Sequence, residues 1–171
     1  CRVFYPYETI RVIRDGEEGE DSLLVVTSLE ESGSEYTVSV SFSHGEKQFC
    51  DETAVSDYDD CERQMAVLLY KILCEVTGYT PQWGILTGVR PSKLMNTLFS
   101  DMGDEEAKKY FSEKLLVSQQ KAELAYSVAK AEEKIMSLSD EKSFSLYVSI
   151  PFCPTRCNYC SFVSHSIAQA K

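Results

Sequence analysis

Residues 35–43 read Glu-Tyr-Thr-Val-Ser-Val-Ser-Phe-Ser, and their strict alternation decides what the front of the chain becomes. Tyr36, Val38, Val40 and Phe42 fall on one side of an extended backbone. Thr37, Ser39, Ser41 and Ser43 fall on the other. Side chains of a strand alternate with a period of two, so one face is apolar and the other wettable, the mark of a half-buried antiparallel strand. Upstream, residues 22–29 (Ser-Leu-Leu-Val-Val-Thr-Ser-Leu) read as a second strand, and residues 30–34, with Gly33, as the turn between them. Downstream, His44 and Gly45 form a tight turn into a third strand near 46–50. The expectation is a small antiparallel meander, to which residues 3–13 add a fourth strand.

An apolar sheet face needs a cover. Asp57, Asp59 and Asp60 suit the positive end of a helix dipole and mark a helix start. Tyr58, Cys61, Met65, Leu68, Leu69, Ile72, Leu73 and Val76 then recur at helical spacing, a stripe able to lie on the meander. Gly78 ends the helix and Pro81 keeps it from resuming. Residues 1–80 therefore read as a small α+β domain.

Residues 81–141 read as a helical connector. It opens with a Gly- and Pro-punctuated stretch holding the single tryptophan, Trp83. Pro91 fits the first turn of a helix over about 91–100. Helices near 104–116 and 118–138 follow, the last with Leu124, Val128, Ile135 and Leu138 toward one side. Residues 143–150 alternate again, with Phe144, Leu146, Val148 and Ile150 apolar and Ser145, Tyr147 and Ser149 opposite. They read as a strand that Pro151 ends, because proline has no amide proton to donate.

Directly after that segment come Cys153, Cys157 and Cys160, a C-x3-C-x2-C run on one short loop. Three thiolates can hold three irons of a [4Fe–4S] cluster and leave the fourth open to a small molecule. Pro154 stiffens the loop, Arg156 sets positive charge beside a reducible site, and Phe152, Tyr159 and Phe162 can exclude water and face a flat ring. The competing assignment is a zinc-stabilised interaction module, in which the three cysteines join His165 in a Cys3His tetrahedron. Zinc sites more often pair cysteines in separated C-x2-C knuckles, which a triple within eight residues does not match.

The run Tyr147-Val-Ser-Ile-Pro-Phe-Cys153, closed by Cys157-Asn-Tyr-Cys-Ser-Phe162, resembles the signature of radical SAM enzymes, and more narrowly the oxygen-independent coproporphyrinogen III oxidase (dehydrogenase)-like group. Trp83-Gly-Ile-Leu-Thr-Gly-Val-Arg-Pro91 resembles the connector of the longer relatives with an extra N-terminal domain. The resemblance implies that residues 142–171 are the first strand and cluster loop of a truncated α/β barrel, so that the chain is a piece of a longer protein. It implies that Cys153, Cys157 and Cys160 ligate the cluster, and that Tyr147, Phe152, Tyr159 and Phe162 lie near cluster and cofactor. It implies that S-adenosylmethionine binds the open iron and is reductively cleaved to a 5′-deoxyadenosyl radical, with a flavodoxin or ferredoxin as electron donor. In the oxidase proper that radical starts the oxidative decarboxylation of porphyrinogen propionates to vinyl groups. Two departures stand out: the best-known oxidases have His at the position of Ser149 and a further cysteine at that of Phe162. Relatives with the present pattern include heme-trafficking proteins, so a heme chaperone is the second implied function. No catalytic residue beyond the ligands is indicated.

Composition narrows the remaining possibilities. Hydrophobic residues make up 43%, enough for a core. The formal charge is −10, and residues 143–171 hold only Arg156 and Lys171 and no acid, so the acidic excess lies before them and disfavours nucleic acid as a partner. No apolar run of about 18 residues is present to span a membrane. The four cysteines outside the run (Cys1, Cys50, Cys61 and Cys74) are scattered and read as buried free thiols of a reducing, cytoplasmic compartment. His44 reads as a turn residue. Arg90 and Lys93 could meet an anionic propionate, but helix capping or domain docking accounts for them equally well.

Overall fold

The computed structural model describes residues 1–13, 22–87 and 90–154, and the backbone of 165 and 166. Strands β1 (Leu23–Ser32), β2 (Glu35–His44) and β3 (Lys47–Val55) form an antiparallel sheet in that order. The hairpin turns are two residues each, Gly33-Ser34 and Gly45-Glu46. Residues 30–32, expected in the turn, continue β1 and pair with 35–37, because a two-residue turn lets the ladder close almost to its tip. For the same reason β3 runs on to Val55, opposite Tyr36.

The register stacks Val25, Phe42 and Phe49 across the three strands. Val38, Val40 and Phe42 are essentially sealed from solvent. Their cover is α1 (Tyr58–Thr77), which brings Cys61, Leu68, Ile72 and Leu73 onto this face. Burial of each such side chain contributes about 1.5–3 kcal/mol. Asp57 caps α1 by accepting from the Asp59 amide at 3.1 Å, and the Gly78 amide donates to the Cys74 carbonyl at 2.9 Å at the other end.

The expected fourth strand over 3–13 is absent. Those residues carry turns near the start, with Phe4 and Tyr5 folded onto the sheet core. Phe4 meets the rings of Tyr70 and Tyr79 edge-on, at 5.9 and 6.1 Å. These two half-buried aromatics pack against the covered face of the sheet.

A second core gathers α2 (Pro91–Met102), α3 (Asp104–Lys109), a π-helical turn (Tyr110–Lys114) and α4 (Gln119–Met136). It consists of Met95, Leu98, Ala107, Phe111, Leu115, Val117, Ala122, Ala125 and Ala129, with Trp83, Ile85 and Leu86 against it. The helix expected over 104–116 is α-helical only to Lys109. The Leu115 amide then reaches back five residues to the Tyr110 carbonyl at 3.1 Å, the wider spacing of a π turn. Leu116 follows with φ 56°, and Gly84 sits directly against it, so the connector is locked to this corner. The Ile85 amide donates to the Leu115 carbonyl and the Ser118 amide to the Gln82 carbonyl, both at 2.9 Å.

The face of α4 differs from expectation. Leu124, Val128, Ile135 and Leu138 are exposed, and the alanines at 122, 125 and 129 point into the core. Ala122, Ala125 and Ala129 recur at helical spacing, and it is this stripe that joins the second core. Arg63 ties the two cores together. It grips Asp60 through two nitrogens at 2.6 and 2.7 Å and donates to the Lys114 carbonyl at 3.2 Å.

The chain divides into two units, Cys1–Lys134, which holds both cores, and Ile135–Lys171. In the second, residues 143–150 form no ladder with any described residue. Phe144, Leu146, Val148 and Ile150 are 76–86% exposed. Alternation prepares a segment to be a strand, but a strand exists only once a neighbour accepts and donates its hydrogen bonds.

Candidate metal centre

The approach to the cysteine run is shaped locally. Asp140 accepts from the Lys142 amide at 2.9 Å and from the Ser143 hydroxyl at 3.0 Å, while that same hydroxyl accepts from the Asp140 amide at 2.9 Å. The Lys142 amide first, then the Ser143 hydroxyl, hold the Asp140 carboxyl below its ordinary range. This closed turn directly precedes residues 144–150, which carry no regular secondary structure.

Past Pro151 the chain forms β4 (Phe152–Cys153), which pairs in parallel with β5 (His165–Ser166). Phe152 stands opposite His165, and Cys153 opposite Ser166. This pairing was not legible in the sequence, because two residues are too short to carry a periodicity. It places Cys153 at the root of the stretch containing the other two candidate ligands.

Of the three cysteines, the structure describes Cys153, a half-buried free thiol. Cys157 and Cys160 lie outside the described residues, as do the side chains of Tyr159, Phe162 and His165. Tyr147 is 76% and Phe152 44% exposed. Among the described residues no three metal-ligating side chains come together. The donor set itself fits an iron–sulfur group: Cys153 is not tied up in a disulfide, and three thiolates are the soft ligands such clusters take.

The other described cysteines are free. Cys61 is buried, and burial, with the Asp60 and Asp57 carboxylates, pushes its thiol up. Cys74 is half-buried, but Cys1 and Cys50 are exposed, contrary to the expectation of buried thiols. Cys50 stands opposite Ser41, on the sheet face away from α1. His44 is the last residue of β2, beside the turn. Arg90 and Lys93 are exposed at the start of α2, and Arg90 offers its helix no side-chain cap.

With the local geometry in place, comparison with known proteins gives one curated relative. The chain is 30% identical over 173 residues to the oxygen-independent coproporphyrinogen-III oxidase-like protein HemZ of Bacillus subtilis (strain 168). The resemblance to the oxygen-independent coproporphyrinogen III oxidase-like group stands. The match takes in 94% of this chain and 34% of HemZ, so the chain spans about a third of that relative's length. It reaches beyond the cysteine run into the sheet, α1 and the connector, since so large a share of the chain must include them. No family model matches the chain, and no solved structure matches it. Among the described residues, no helix is long and apolar enough to cross a membrane.

Proposed function

We propose that this chain is part of a radical SAM oxidoreductase of the coproporphyrinogen III dehydrogenase type. Its organisation would be an α+β accessory domain over 1–80, a helical connector over 81–141 and the start of an α/β barrel over 142–171. The observation that carries the proposal is the C-x3-C-x2-C run within a chain that is similar to the oxidase-like HemZ over 94% of its length.

In this reading Cys153, Cys157 and Cys160 hold a [4Fe–4S] cluster through their thiolates. The bound cluster and S-adenosylmethionine together supply a carbon-centred radical by reductive cleavage of the sulfonium. The chain's own residues position and shield. Pro151 stops the extended segment just before the first ligand, and Tyr147, Phe152, Tyr159 and Phe162 offer aromatic surface to the cofactor and keep water from it. The extended segment 143–150 becomes a strand when barrel neighbours supply its hydrogen bonds, which would cover Phe144, Leu146, Val148 and Ile150. The substrate is a porphyrinogen or heme-like molecule, and the reductant a flavodoxin or ferredoxin.

Ser149 and Phe162, where the best-known oxidases carry His and Cys, favour a second reading: a heme chaperone that keeps the cluster without the decarboxylation.

Anaerobic reconstitution with iron and sulfide tests the cluster. The expected result is a brown chain holding close to four irons and four sulfides, bleached by dithionite, and lost in Cys153→Ser, Cys157→Ser and Cys160→Ser. A colourless chain holding one zinc, released when His165 is replaced, would overturn it. In the longer protein, cleavage of S-adenosylmethionine without decarboxylation of coproporphyrinogen III would favour the chaperone or another substrate.

A further inference from the structure

We draw no further inference here: the strongest candidate, the exposed apolar face of α4 formed by Leu124 and Val128, has no partner among the described residues, and nothing in the structure shows what covers it.

Discussion

Replacing Gly84 with alanine probes the corner where the connector meets the helical core. A Cβ built on Gly84 would run into the Leu115 carbonyl oxygen and the carbonyl carbon and oxygen of Leu116. All three are backbone atoms, so no rotamer change relieves the clash. The connector would have to retreat by more than an ångström, an overpacking cost of about 1–3 kcal/mol. Gly84 also has φ 57°, a left-handed conformation that costs an L-residue about 1–2 kcal/mol. Retreat would stretch the Ile85–Leu115 hydrogen bond beside it, for a further loss of about 1 kcal/mol. The expected destabilisation is about 3–6 kcal/mol, a large share of what a domain of this size possesses. Urea unfolding followed by the fluorescence of Trp83, the single tryptophan and the neighbour of Gly84, reads it directly. Gly45→Ala is the internal control. Gly45 has a similar φ of 60°, but nothing lies within 4 Å of its Cβ position, so it should lose only about 1–2 kcal/mol. If the two variants unfold at the same urea concentration, the close approach at Gly84 does not exist and the docking of the connector is wrong.

Three further outcomes are expected. Arg63→Gln should cost about 1–3 kcal/mol near neutral pH, because it removes a bidentate charge-assisted pair and the link to the Lys114 carbonyl. The hydrogen bond from Arg63 holds the Asp60 carboxyl below its ordinary 3.8, so the pair stabilises fully above that pH. Its contribution falls as acid protonates Asp60, and the gap between variant and wild type should close in acid titrations of stability. Ala129→Leu, at a wholly buried site, should destabilise by about 1–3 kcal/mol in thermal melts, whereas Leu124→Ala, at a site 48% exposed, should move the melting point far less; the opposite order would mean α4 is rotated. Tyr70 donates to the Pro81 carbonyl at 2.9 Å, and burial first, then Cys74, pushes its hydroxyl up to about 12. From pH 10 to about 12 the folded chain keeps a proton that the unfolded chain has lost, so stability falls across that window. Tyr70→Phe should flatten that alkaline slope, and an unchanged slope would refute the assignment.

Residues whose fate depends on a local period were readable in the chain. The alternation through Phe42 named the buried face of β2, and the stripe from Cys61 to Val76 named the covering face of α1. Asp57 and Gly78 marked the helix ends because capping involves only neighbours in sequence. The candidate ligands were legible for a similar reason: a thiolate's chemistry and its spacing along one loop are properties of the chain itself.

Where the outcome rested on a partner distant in sequence, the pattern was not enough. Leu124 and Val128 looked like the inner face of α4, yet Ala125 and Ala129 lie in the core beside Met95 and Phe111, an outcome set by residues distant in sequence. The segment 3–13 had strand-like residues, but the aromatic contacts of Phe4 drew its start onto the core. Residues 143–150 had the alternation of a strand, but no described neighbour completes a ladder with them. Local periods, helix caps and the three thiols follow from neighbours along the chain alone. Tertiary structure decided which apolar face was covered, where the helix after Lys109 widened, and that the chain beyond Cys153 pairs beside it, since each depends on atoms that only folding brings together.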